Sequence, residues 1–397
     1  MKMIKEKLQV FPILITMSCL VSFCVQLVDN IFLASLLFYI CILLNLFQFI
    51  YLIITKTINV KNIILILLIM VYSFFAVFYK TPKVNLSKDY FNTLIFFVLT
   101  VLSLYNGSQI TFNDFTKKCI IILTMVVSFI YILYFVFYNN QCYWNNSREY
   151  LVFKLSNPNL TGIFLLFLFI FNFFGLFIFE KKLIKFLSIF LNCVLLYFII
   201  ETKSRSCLVG LIFFIFSICF FYKFAINKFL LLVGLLIPII FVIVYMLFIN
   251  SNIQLGFLNI FVDEGKGLDS RYNIWLTTIN SISSNLLLGN YYTISDGTGL
   301  FQMHNVWLHV IAGFGSVVWV LLLIYFYSIL SKMRVNTLFS KIIVIAFLTV
   351  LIEGTFEAAI FTGASGLFCM FSQILSFNDP KNKDVKVINK YENSFLF

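Results

Sequence analysis

Residues 263–275 read DEGKGLDSRYNIW, and residues 289–315 read GNYYTISDGTGLFQMHNVWLHVIAGFG. All but the last twelve of these residues belong to a polar stretch, Asn250 to Met303, with no apolar run long enough to cross a bilayer; His304 to Gly315 open the span that follows. On either side such runs follow one another closely. The stretch is a polar gap in a hydrophobic chain, and reading it as an external loop held by membrane spans decides the fold.

The rest of the chain supports that reading. Of its 397 residues 62% are hydrophobic and 11% charged, whereas soluble domains carry about a quarter charged residues. Runs of about 20 apolar residues recur along the whole length. They predict an all-α, polytopic protein: one integral membrane domain, residues 1–397, with the large external loop at 250–303 inside it. Spans are expected near 8–28, 31–54, 62–79, 90–105, 117–138, 159–179, 183–200, 206–222, 229–249, 304–330, 342–358 and 360–377. The last two form one run broken by Glu353, Gly354, Glu357 and the GASG at 363–366, so a re-entrant pair is an alternative there. The N-terminal MKMIKEK and the apolar run from Leu8 to Val28 lack a small-residue cleavage site and read as an uncleaved first span.

The net charge of +12 excludes little by itself. In a membrane protein, basic residues gather in cytoplasmic loops. With both termini cytoplasmic, the inside segments hold about twice as many Lys and Arg as the outside loops. That bias turns the 250–303 loop outward and removes the case for nucleic acid. The nine cysteines are scattered without paired spacing, which points away from a disulfide framework or a metal site.

Few residues can do chemistry in such a chain. Arg205 in ETKSRS and Arg271 in DSRYNIW both sit on the outer side. There they run against the positive-inside bias. They snorkel to headgroups or pair with carboxylates such as Asp269 or Glu201, or their planar donor forks take a phosphate or pyrophosphate. His304 opens the tenth expected span. Its imidazole can orient or deprotonate a hydroxyl, or donate to a phosphate oxygen. Asn305 can hold its tautomer or bind a sugar hydroxyl. His309 lies about 140° further round a helix and reads as structural. Gly313 and Gly315 allow close helix approach. Glu353 and Glu357, spaced i, i+4, are expected on one helix face, either paired with the arginines or with one acting as the base for an acceptor hydroxyl. Tyr272, Trp275, Tyr291 and Tyr292, like Tyr143 and Trp144 in the 139–158 loop, fit an interfacial aromatic belt or sugar stacking.

In order, these residues resemble the late core of the bacterial O-antigen polymerase and ligase family (Wzy/WaaL). The resemblance rests on Ser204-Arg205-Ser206 between two spans, Arg271-Tyr-Asn-Ile-Trp275 in the large external loop, the Leu288-Gly289 step, and His304-Asn305 followed after nine intervening residues by Gly315. It covers roughly residues 200–320. Two features depart from the family pattern: Asn285-Leu286-Leu287-Leu288 lacks a proline before the glycine step, and Val318 stands where a second glycine often follows.

The resemblance implies a GT-C-like membrane glycosyltransferase on the outer face of a bacterial cytoplasmic membrane. It would polymerise undecaprenyl-pyrophosphate-linked oligosaccharides into O-antigen or capsule, without metal, nucleotide or other cofactor. Arg205 and Arg271 would bind the donor pyrophosphate. His304 would assist the leaving group or orient the acceptor, Glu353 is a candidate base, and Asn305, Tyr272 and Trp275 are candidate sugar contacts. Implied partners are the lipid-linked oligosaccharides, the bilayer, a chain-length regulator and a flippase. A ligase passing the chain to another acceptor, and from another class a flippase for lipid-linked sugars, are the competing readings.

Overall fold

In lipid every peptide group needs a partner within the protein, so each long apolar run closes into a helix. The computed structural model describes residues 8–55, 60–80, 88–146, 148–155, 157–221, 226–250, 268–289, 303–333, 335, 337–357, 359–361 and 365–378. The first nine expected spans each coincide with one helix: α1 (Val10–Gln26), α2 (Ile31–Ile54), α3 (Val60–Lys80), α4 (Lys88–Gln109), α5 (Asp114–Tyr138), α6 (Pro158–Ile178), α7 (Lys182–Glu201), α8 (Arg205–Phe221) and α9 (Lys228–Asn250). Asparagine opens several of them. Asn30, Asn113 and Asn157 each accept a hydrogen bond from a backbone N–H of the first turn of α2, α5 and α6, which satisfies one orphan donor per helix.

Among the described residues, six helices (α2, α3, α5, α6, α7 and α9) are long and apolar enough to cross a membrane. Their surfaces say what surrounds them. On α2, Phe32 is 80% exposed while Asn45 and Gln48 are fully buried. A helix that turns phenylalanine outward and amides inward has lipid, not water, as its solvent. The fold is that of a multi-pass membrane protein. At its centre stands α6, almost wholly buried, with Phe164 stacked on Phe23 and Phe167 on Phe371.

Four local features differ from the sequence reading. A short antiparallel hairpin, β1 (Tyr143–Asn146) and β2 (Arg148–Leu151), joins α5 to α6 within a structure that is otherwise all-helical, as expected. The expected span 304–330 is broken into α11 (Val306–Phe314) and α12 (Ser316–Leu330). Gly315 between them has φ +89°, and a Cβ there would lie 1.9 Å from the Leu287 carbonyl oxygen. Only glycine fits so close a crossing in that backbone conformation. Gly289, at φ +68°, meets the Ala312 carbonyl in the same way, and Ser316 N–H donates to Leu286 O at 2.9 Å. The Leu-Gly step therefore caps the break.

The third difference concerns the two glutamates. Helix α13 (Leu338–Glu353) stops at Glu353 and the chain turns. Glu357 lies beyond the helix, so the two carboxylates do not share a helical face as their spacing predicted. The cause is Gly354, whose carbonyl accepts from Val306 N at 2.7 Å and so is engaged by the start of α11. Fourth, the last expected span is a 3₁₀ turn (Ala359–Phe361), a short α14 (Ser365–Ser372) and a second 3₁₀ turn (Gln373–Phe377). Residues 366–377 are buried throughout against α2, α4 and α13, as a core segment rather than a lipid-facing helix.

Loops collect at two ends of the bundle. At one, Lys154 beside the hairpin pairs with Asp29 after α1, and Lys203 after α7 donates to Glu149 O at 2.8 Å. At the other, Gln9 donates to Thr111 O at 2.9 Å and Ser340 to Asn378 Oδ1 at 3.0 Å. Helix α10 (Leu268–Ser283) joins the first of these ends.

Candidate functional site

Helix α10 is the described part of the large loop and carries the Arg-x-x-x-Trp motif. The i, i+4 spacing puts Arg271 and Trp275 on one face, and the structure uses both. Trp275 is fully buried among Val242, Tyr245, Met303 and Leu308, and its indole N–H donates to Met303 O at 3.0 Å. That bond pins the residue just before His304. Arg271, one turn away, reaches Glu357: Nη2 lies 3.1 Å from Oε1. The guanidinium also lies over the Phe356 ring, 5.5 Å from its centroid.

Glu357 is the hub. Its Oε1 accepts from Arg271 and from Asn159 Nδ2 at 2.7 Å, and its Oε2 faces His304 Nδ1 at 3.3 Å. The carboxylate is 8% exposed, whereas Arg271 and His304 keep 21% and 26% of their side chains open. The anion is thus the floor of the cluster, and the two cationic or titratable groups form its accessible rim. Burial pulls the Arg271 guanidinium below its ordinary value, Glu357 and Glu353 pull it back up, and Arg205 adds to the downward push. It remains protonated, as guanidinium groups do.

Asn159 extends the network to the Ser-Arg-Ser turn. It stands in the first turn of α6, after the Asn157 cap and Pro158. Its Oδ1 accepts from Ser204 Oγ at 3.0 Å, and Ser204 lies 3.2 Å from Ser206 Oγ. Ser206 hydrogen-bonds in turn to Glu353. Both serines are buried while Arg205, between them at the start of α8, is partly open. The tripeptide therefore turns two hydroxyls inward and leaves a guanidinium at the rim.

His304 is held in a costly backbone conformation. Its φ is +44°, a left-handed value that L side chains rarely adopt and that survives only where neighbours over-determine it. They do so here. Trp275 fixes Met303 on one side. On the other, the Asn305 side chain accepts from Trp307 N and Leu308 N and donates to Pro238 O at 2.9 Å and Thr355 O at 3.0 Å. Pro238 sits inside α9, where its ring loosens the helical ladder. The carbonyls of Leu235 and Pro238 then accept from Trp307 Nε1 and Asn305 Nδ2.

The structure thus brings Arg271, His304, Arg205 and Glu353 to one end of the bundle, around Glu357. It gives two candidate sugar contacts other work. Asn305 is fully buried with its amide saturated, and Trp275 is fully buried with its N–H taken; both position His304 and neither offers a surface to a ligand. Tyr272 is half-buried, edge-on to Tyr245. Glu353 is 2% exposed, and its Oε1 has no hydrogen-bond partner among the described residues. Glu357, not the candidate base Glu353, is the carboxylate that contacts the arginine and the histidine. Tyr291 and Tyr292 lie outside the described residues. Among the described residues no group of three His, Cys, Asp or Glu is placed to hold a metal ion. Sequence reasoning missed Asn159. Its available signal was a second asparagine in Asn157-Pro158-Asn159, one more than helix capping needs.

No family model, curated protein or solved structure matches the chain.

Proposed function

We propose that the chain is a membrane glycosyltransferase that polymerises undecaprenyl-pyrophosphate-linked oligosaccharide repeats at the outer face of the cytoplasmic membrane. The observation that carries the reading is the convergence of Arg271, His304 and Glu357, with Arg205 near, at the end of the bundle where the polar loop joins. A charged cluster in an apolar bundle is costly and calls for a use. A glycosyl pyrophosphate supplies one.

In the transfer, an acceptor hydroxyl oxygen attacks the anomeric carbon. The bond from that carbon to the pyrophosphate oxygen breaks, and its electron pair leaves with the pyrophosphate. Arg205 and Arg271 offset the charge that develops there, where preorganised cations act most strongly. His304, with Nδ1 turned to Glu357, offers Nε2 to the hydroxyl proton. A two-ended site of this kind suits a donor with a charged leaving group better than a pathway through the bundle, where the described polar side chains are mostly neutral amides and hydroxyls.

A deletion strain complemented with variants tests this. Arg271→Ala and His304→Ala should leave the protein in the membrane and abolish long chains, leaving single lipid-linked repeats. Normal chain length in both variants refutes the assignment. Long chains stranded on carrier lipid in the deletion strain identify a ligase using the same site.

A further inference from the structure

Arg271 is the best-placed cation for an incoming pyrophosphate, yet in the structure it is already paired. Glu357 holds it at 3.1 Å and is itself buried. A dianionic group cannot approach that guanidinium at full strength while a carboxylate shares it. The same carboxylate faces His304 Nδ1 through its other oxygen. One anion therefore touches both the donor-binding and the acceptor-activating side chain.

On the reading above, we propose that Glu357 is a positioning residue that stands in for the substrate. The pyrophosphate of the lipid-linked donor takes its place on Arg271, and the carboxylate remains with Asn159 and His304. Asn159 makes the exchange possible. It donates to the same Oε1 that Arg271 contacts, at the shorter distance of 2.7 Å, so the carboxylate keeps a partner when the guanidinium turns away. Arg271 is partly open and needs only a side-chain rotation to face an anion at the rim. Once released, Glu357 accepts from Asn159 through Oε1 and from His304 Nδ1–H through Oε2, which fixes the imidazole with Nε2 free to take the hydroxyl proton.

The exchange separates two effects that a purely structural carboxylate would move together. In Glu357→Gln the amide oxygen still accepts from Arg271 and Asn159, but the competing negative charge is gone. Its NH₂ group then faces Nδ1 as a donor, which moves the imidazole proton to Nε2, the wrong nitrogen for a base. The full-length protein in nanodiscs, titrated with undecaprenyl pyrophosphate, should bind roughly tenfold more tightly in Glu357→Gln, a change of about 1.4 kcal/mol. Chain extension in the complemented strain should nevertheless be lost, and Glu357→Asp should recover part of it.

Asn159→Ala gives the opposite sign and covers the case of a misfolded Gln variant. Without Asn159 the carboxylate leans on Arg271, and undecaprenyl pyrophosphate should bind several-fold more weakly. Equal or weaker binding in a folded Glu357→Gln, or normal chain extension in it, overturns the exchange. Unchanged binding in Asn159→Ala does so as well. Arg271→Ala separates the two levels. If it binds undecaprenyl pyrophosphate like the parent, the pyrophosphate reading itself falls. If it loses binding while Glu357→Gln binds unchanged, only the exchange falls.

Discussion

Two kinds of buried polar system can be compared among the described residues of this apolar bundle, and they are built differently. Between α2 and α4, Asn106 Nδ2 donates to Asn45 Oδ1 at 2.9 Å and to Asn45 O at 2.7 Å. Between α5 and α6, Asn172 donates to Ser128 at 2.8 Å. These groups are neutral and bridge neighbouring helices, the arrangement that joins helices where lipid gives no hydrophobic drive between them. At the end of the bundle the groups are ionisable: Arg271 on Glu357, His304 beside it at a left-handed φ, and Glu353 close by. Neutral amides cost little to bury when bonded. Charges and a strained backbone cost more and bring no advantage in packing. The first system holds helices together, and the second is the one to which the proposed function gives a chemical use.

The contrast is tested most sharply by removing the hub. Glu357→Ala leaves Arg271 and Asn159 without their shared acceptor. Breaking a buried pair by deleting one partner typically costs about 3–5 kcal/mol. Thermal unfolding followed by fluorescence size-exclusion should show a drop of many degrees, together with complete loss of chain extension. A variant that kept both stability and chain length would put the charged cluster in the same class as the amides.

Most of the framework was legible in the sequence, because the length of an apolar run decides whether a helix crosses lipid. Helices α1 to α9 fall where their apolar runs predict. The site was legible in part. Arg205, Arg271 and His304 stood out as charged or titratable groups against a hydrophobic background. What could not be read was which carboxylate they meet. The i, i+4 spacing of Glu353 and Glu357 assumes a continuous helix, and Gly354 ends that helix through a tertiary contact with Val306. The role of Asn159 could not be read for a related reason: its partners lie 45 and 198 residues away. Trp275 and Asn305 looked like ligand contacts because aromatic and amide groups beside an external loop serve either role. Only their burial separates the two.

A smaller effect should come from the glycines that seat the loop on the bundle. Gly315→Ala places a methyl group 1.9 Å from the Leu287 carbonyl oxygen, at φ +89°. The backbone strain alone costs about 1–3 kcal/mol, and relief requires the 286–289 turn to lift off the α11–α12 junction. That turn follows α10, so the shift should reach Arg271 and shorten the polysaccharide chains rather than abolish them. Wild-type chain length combined with wild-type stability would show that the two glycines merely tolerate the crossing and do not hold the loop in place.

The mildest change is expected in the helix-bridging amides, and it closes the comparison from the other side. Asn106→Leu removes the donor to Asn45 and leaves that amide short of a partner. Hydrogen bonds between membrane helices average about 0.6 kcal/mol in double-mutant cycles. The single variant should therefore lower the melting midpoint by only a few degrees, and the double variant Asn45→Leu/Asn106→Leu should recover part of that loss, because two apolar groups leave nothing unsatisfied. Chain length should stay at the parental value in both, since Asn106 and Asn45 bond each other and neither is bonded to Arg271, Glu357 or His304. Loss of chain extension in a stable Asn106→Leu protein would mean that the two polar systems are coupled through the bundle, and that the neutral one does more than join helices.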